Sequence, residues 1–147
     1  AAKNGDLIVE MINDATHLNP TLVTEVLNMV GRDGAVFITD AMAAAGMEDG
    51  SYVLGPQEVR VEDGVARLAH GESIAGGTAH LVDCVRTAVS AGEVSLVEGV
   101  YLASAQGAKV LGLEDRGRLE KGKRADLLIT DRNLYPEKVV RAGEVVA

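Results

Sequence analysis

Cysteine is almost absent from this chain. Cys84 is the single thiol in 147 residues, so no disulfide can close within the chain and a reducing compartment is expected. Its neighbours Val82 and Val85 mark a packed helix position, and with only Arg86 as a local basic group the thiol reads as inert core. Aromatic residues make up only 3% of the chain, so the core must be built from Val, Leu, Ile and Ala. Basic residues are the minority charge, 14 against 22 acidic ones, and they are scattered, which argues against a nucleic-acid partner. The densest basic cluster, Lys121-Gly-Lys-Arg124, reads as a solvated turn. No apolar run approaches the ~18 residues of a membrane span, so no membrane partner is expected. Internal repeats, low-complexity tracts and Ser/Pro linkers are missing as well. Among the three histidines, His17, His70 and His80, there is no H-x-H or H-E-x-x-H spacing, and the chain has no C-x-x-C. It therefore carries no recognisable metal site of its own.

What is present is a soluble, globular composition, 47% hydrophobic with a net charge of −8. Ala35-Val-Phe-Ile-Thr-Asp-Ala-Met42 is a short β-branched run ending in an acid and a small-residue loop. It reads as a buried parallel strand. A carboxylate is too costly to leave unpaired in a core, so Asp40 belongs where the strand emerges, which is where α/β barrels keep their catalytic groups. Position alone leaves catalysis and loop capping equally open for Asp40. Upstream, Leu7–Ile12 reads as a strand in which Glu10 needs a partner, and Asn19-Pro20 supplies an N-cap and first-turn proline. A helix then runs through Leu22, Val23, Val26, Leu27 and Val30 and stops at Gly31. Two successive β–α steps make the strands parallel and put His17 and Asp40 at the same end.

From Tyr52 to Leu68, Gly55-Pro56 and Asp63-Gly64 interrupt apolar runs, and the latter pair is a strong hairpin signal. A helix is expected from Thr78, with Leu81, Val82, Val85, Ala88 and Val89 on one face, ending at Gly92. Ser95-Leu-Val-Glu98 is a capping box for the next helix, with a break at Gly107 before Ala108–Leu111. Leu127–Thr130 and Val139–Val146 read as strands, with Ala142-Gly143 as a turn. Arg86 is expected to pair with a carboxylate, and His70 and His80 to be exposed.

Four motifs in order carry a resemblance: Asp14-Ala-Thr-His17, Ile38-Thr-Asp-Ala-Met42, Gly71-Glu-Ser-Ile-Ala-Gly-Gly77 and Gly122-Lys-Arg-Ala-Asp-Leu-Leu-Ile-Thr-Asp131. Their order and spacing resemble the C-terminal part of the N-acetylglucosamine-6-phosphate deacetylases, which are metal-dependent amidohydrolases. The last motif is common to many amidohydrolases; the first three are the specific ones. The resemblance implies an α/β fold, the C-terminal part of a (β/α)8 TIM-type barrel with a β-hairpin excursion, plus part of a small β domain. Residues 1–116 would belong to the barrel and 117–147 to the strands of the small domain. A whole barrel needs about 250 residues, and the chain opens on Gly5-Asp-Leu-Ile-Val9, which reads like the interior of a fold. A C-terminal fragment, inactive alone, is therefore expected in the cytoplasm, and the resemblance implies a homodimer.

The resemblance also implies roles. Asp40 matches the catalytic aspartate, which takes a proton from water as it attacks the acetamide and returns it to the departing sugar amine. A divalent metal ion, zinc or iron, would activate that water, held chiefly by residues from barrel strands this chain lacks. His17 matches the histidine that contacts the phosphosugar, with Ala15 where the family more often has Gly. Ile74, Ala75, Gly76 and Gly77 match a substrate-lining loop, with Gly77 where the family commonly has Ser, and Thr78 would open an anion-favouring helix. The expected substrate is thus a phosphorylated amino sugar. A dihydroorotase-like or aminoacylase-like amidohydrolase, or an inactive assembly module, are the alternatives.

Overall fold

The computed structural model describes residues 7–147. Gly5 and Asp6, the start of the opening stretch Gly5–Val9, lie outside the described residues. Strand β1 (Val9–Met11) pairs in parallel with β2 (Ala35–Phe37), Val9 opposite Ala35 and Met11 opposite Phe37. They are joined by helix α1 (Leu22–Val30) and a 3₁₀ turn, Arg32–Gly34. The expected parallel β–α–β step is therefore present, with its two strands adjacent. The regular helix opens slightly later than Asn19-Pro20. Asn19 still does a cap's work, since its Oδ1 accepts the Thr21 N–H at 3.2 Å. Gly31, at φ 73°, ends the helix, its N–H donating to Leu27 O at 2.8 Å.

The segment after β2 is larger than one hairpin. Strands β3 (Gly50–Leu54), β4 (Gln57–Glu62) and β5 (Val65–Leu68) form a three-stranded antiparallel meander. Both punctuation points act as turns, Gly55-Pro56 and Asp63-Gly64. At the latter, φ values of 50° and 72° are those of a primed hairpin turn. The meander has a small core of its own, Val59, Val61 and Ala66 against Met42, Ala44 and Ala75.

Helix α2 (Leu81–Ser90) starts at Leu81, not at Thr78 as expected. Residues leading to it are held in extended pairing, described below, and the Asp83 carboxylate accepts the His80 N–H at 2.9 Å, fixing the first turn there. The next helical run comprises α3 (Leu96–Val100), a π turn (Tyr101–Ala105) and α4 (Gln106–Val110). The Ser95/Glu98 capping box is formed as expected, with Glu98 N–H donating to Ser95 Oγ at 3.3 Å and Ser95 N–H to Glu98 Oε2 at 3.1 Å. The break expected at Gly107 does not occur. Helix α4 passes through that glycine, and the irregularity lies one turn earlier. There the Gln106 N–H reaches back to Tyr101 O. Tyr101 and Gln106, five residues apart, are both fastened to Asp33: the Tyr101 hydroxyl reaches its carboxylate and Gln106 Nε2 donates to its backbone oxygen at 2.7 Å. A five-residue turn puts both on that one partner.

Helices α1, α2 and the π turn cover one face of the parallel pair. Met11, Ala35 and Phe37 from the strands pack with Val23, Val85, Ala88 and Leu102. Leu102 is fully buried, a contribution of about 2–3 kcal/mol. The chain ends in a second antiparallel sheet, β6 (Leu127–Thr130), β7 (Pro136–Arg141) and β8 (Glu144–Val145), with the expected turn at Ala142-Gly143, φ 52° and 89°. Lys121-Gly-Lys-Arg124 is a turn, closed by Lys123 N–H on Glu120 O at 3.1 Å. Among the described residues no helix is long and apolar enough to cross a membrane.

Candidate active site

Because β1 and β2 run in parallel, the loops holding His17 and Asp40 leave the sheet from the same end. Asp40 lies just past β2, at φ 49° and exposed. A non-glycine residue in the left-handed region is uncommon and is held by its surroundings. Here the surroundings are explicit. The Gly77 N–H donates to Asp40 O at 2.7 Å, the Met42 N–H donates to Gly77 O at 2.9 Å, and Ala41 and Gly77 form a parallel bridge. On its other side the same segment pairs with β5, through an Arg67–Ile74 bridge and Ala75 N–H on Ala66 O at 2.9 Å. Ser73–Gly77 thus joins the meander to the end of β2. Gly76 and Gly77 are thereby brought against Asp40, while Ile74 and Ala75 pair with β5.

Gly77 is required by this approach. A Cβ there would stand 1.9 Å from Thr39 O. Gly76 is required by its backbone, at φ 80°, where a Cβ would also meet Met42 Cβ at 3.0 Å. Asp40's carboxylate, by contrast, accepts no hydrogen bond among the described residues, so it does not cap its loop.

His17 is tied to its own loop. Its Nδ1 lies 2.8 Å from Asp14 Oδ2, and Asp14 Oδ1 accepts the N–H groups of Thr16 at 2.9 Å and His17 at 2.8 Å. Burial alone would raise the Asp14 pKa. The backbone and ring hydrogen bonds from His17, with that from Thr16, outweigh it and hold the carboxyl below its usual range. Ala15 adopts φ 66°, a left-handed conformation in which glycine would be unstrained. No hydrogen bond joins His17 to Asp40 among the described residues.

Two neighbours went unremarked in the sequence. Asn13 is fully buried and its Nδ2 donates to Cys84 O at 3.0 Å, tying the end of β1 to α2, while its Oδ1 has no partner among the described residues. The available signal was a polar residue on the Met11 face of the strand. Asp14 was visible only as part of a motif. Cys84 is fully buried, and burial, reinforced by the charges of Asp14 and Asp83, pushes its pKa up to about 11. It is the inert thiol expected. Arg86 pairs with Asp83 at 2.5 Å, stacks 4.1 Å over Tyr135, and donates to Leu134 O at 2.9 Å, clasping the terminal sheet to α2. His70 and His80 are exposed, as expected.

Among the described residues no three of His, Cys, Asp and Glu converge to hold a metal ion. The described residues do not make a metal centre on their own. A groove of about 860 Å³ lies between α2, the α3–α4 run and the terminal sheet, and none of the strand-end loops lines it.

Residues 5–146 match the amidohydrolase family, and the chain belongs to that family. It is 34% identical over 140 residues to a putative N-acetylgalactosamine-6-phosphate deacetylase of Escherichia coli K12, covering 95% of this chain and 83% of that protein. It is 34% identical over 137 residues to the human N-acetylglucosamine-6-phosphate deacetylase, covering 92% of this chain and 33% of that one. Among solved structures, a mutant of the N-acetyl-D-glucosamine-6-phosphate deacetylase of Mycobacterium smegmatis in complex with N-acetyl-D-glucosamine-6-phosphate superposes with a TM-score of 0.91 at 39% identity. That match covers 98% of this chain and 39% of the other. The chain thus spans between a third and two fifths of the length of the human and mycobacterial enzymes.

Proposed function

We propose that this chain is the C-terminal part of an N-acetylglucosamine-6-phosphate deacetylase, which hydrolyses the acetamide to glucosamine-6-phosphate and acetate. The observation that carries the reading is Asp40: an exposed carboxylate at the end of a parallel strand, which accepts no hydrogen bond among the described residues and whose backbone is pinned by Gly77. A carboxylate so placed is free to accept the proton of an attacking water. It then returns that proton to the departing amine, a poor leaving group until protonated. His17 contacts the phosphosugar, and Ile74, Ala75, Gly76 and Gly77 line the substrate. Residues 1–116 form the last two strand–helix units of the barrel, with the meander as an excursion, and 117–147 belong to a small β domain.

Amidohydrolases are generally metal-dependent. The zinc or iron ion of this reading would be held chiefly by residues of the earlier barrel strands; among the described residues no three of His, Cys, Asp and Glu gather to hold one. The chain spans only 33% of the human and 39% of the mycobacterial enzyme, which supports a protein completed by further strands, and we place it in a homodimer.

A second reading differs in the sugar. Two Escherichia coli relatives, one of them named as putative, carry the name N-acetylgalactosamine-6-phosphate deacetylase at the same 34% identity as the human glucosamine-type enzyme. Acetate release by the full-length protein from each of the two 6-phosphorylated sugars separates the readings. A higher kcat/KM on the gluco epimer is expected. A preference for the galacto epimer overturns the first reading in favour of the second, and no acetate from either removes both.

A further inference from the structure

We infer that Asp14 is a positioning residue that fixes a ring proton of His17 on Nδ1, so that whenever the ring is neutral Nε2 is left as a hydrogen-bond acceptor for a hydroxyl or amide N–H of the substrate. The inference deepens, and rests on, the reading of His17 as a substrate contact.

The geometry is specific. Asp14 Oδ1 is saturated by two backbone donors, Thr16 N–H and His17 N–H, which fix the carboxyl plane relative to the loop. Oδ2 is left to face Nδ1 at 2.8 Å, a charge-assisted distance. The Asp14 side chain is 8% exposed and the His17 side chain 19%, so water competes poorly for this contact. An ionised carboxylate accepts and cannot donate. Asp14 is ionised at neutral pH because its pKa lies below the usual carboxylate range, the hydrogen bonds outweighing the burial that opposes them. The proton between the two residues therefore sits on Nδ1. Free histidine in water favours the opposite tautomer, so the loop imposes a state the side chain would not choose. The consequence for recognition is a change of polarity at Nε2. While the ring is neutral this atom offers a lone pair, which suits a hydroxyl or N–H of a sugar and not an unprotonated phosphate oxygen.

The decisive variant is Asp14→Asn. The Asn Oδ1 keeps the two backbone hydrogen bonds and hence the turn, but its Nδ2 now donates to Nδ1 and moves the ring proton to Nε2. In the full-length protein, long-range ¹H–¹⁵N correlation spectra of labelled histidine should give the Nδ1–H pattern for His17 in the parent and the Nε2–H pattern in the variant. KM for the 6-phosphorylated acetamido sugar should rise about tenfold, the loss of one hydrogen bond, with kcat little changed. In a His17→Ala background, Asp14→Asn should raise KM no further, because Asp14 acts only through the ring. An Nε2–H ring in the parent overturns the inference even if the variant does not fold. An equal KM increase in both backgrounds overturns it as well. Failure of the parent to deacetylate any such sugar would instead refute the functional reading, leaving the tautomer measurement to stand by itself.

Discussion

Replacing Gly77 by alanine adds one methyl group in the tightest contact near Asp40. The backbone of Gly77 is not in a left-handed conformation, so alanine meets no conformational penalty there and the effect is purely steric. The added Cβ falls 1.9 Å from Thr39 O and 3.4 Å from Asp40 O. To restore an ordinary contact of about 3.4 Å, the Thr39 carbonyl must retreat by about 1.5 Å. That movement pulls apart the two hydrogen bonds beside it, Gly77 N–H on Asp40 O and Met42 N–H on Gly77 O. Each is worth about 0.5–1.5 kcal/mol net, and forced overpacking adds about 1–3 kcal/mol. A loss of about 3 kcal/mol is therefore expected for Gly77→Ala, read as a shift in urea midpoint of the full-length protein without change in slope. Turnover should fall more steeply than stability explains, since the displaced backbone is that of Asp40. Gly77→Ser should behave alike, although the resembling family commonly carries Ser at this position. This chain's pairing leaves no room for it. A Gly77→Ala protein of unchanged midpoint and unchanged turnover would refute the claim that this close approach sets Asp40's position.

Ala15→Gly should stabilise the protein by about 1 kcal/mol, seen as a raised urea midpoint, because φ 66° is strained for alanine and not for glycine. Cys84 should resist a thiol reagent at about pH 8 in the folded protein and react at once in denaturant, given its burial and a pKa of about 11. Asp14 has a folded pKa depressed below its unfolded value, so its contribution is fully present above about pH 4 and lost as pH falls through the folded value. Urea midpoints taken through this acid range should therefore fall less steeply for Asp14→Asn than for the parent.

Much of this architecture was legible in local pattern. The Asn19 cap, the Gly31 stop, the Ser95/Glu98 capping box and the Asp63-Gly64 turn are each written in a few adjacent residues, and each is found where the sequence put it. The parallel pairing of β1 with β2 followed from a connection rule. What failed was non-local. Thr78 could not be recognised as pre-helical, because the extended pairing of Ser73–Gly77 with both β5 and the Asp40 segment delays the helix to Leu81. Gly107 drew a helix break because glycine is a poor helix former. The irregularity came instead from Tyr101 and Gln106 sharing Asp33, a partner on another element. At the candidate site, residue types pointed to Asp40 and His17. The carboxylate behind His17 was within view in the sequence, but its contact with the ring depends on loop geometry that spacing alone does not give.

The most direct test of the account is Asp40→Asn in the full-length protein, assayed for acetate release from the 6-phosphorylated acetamido sugar alongside metal content. Asparagine preserves the shape of the side chain and cannot accept a proton, so turnover should nearly vanish, by a factor of about 10²–10⁴, while bound metal is retained. Undiminished turnover with Asn at this position would contradict the assignment of Asp40 as the proton-transfer residue.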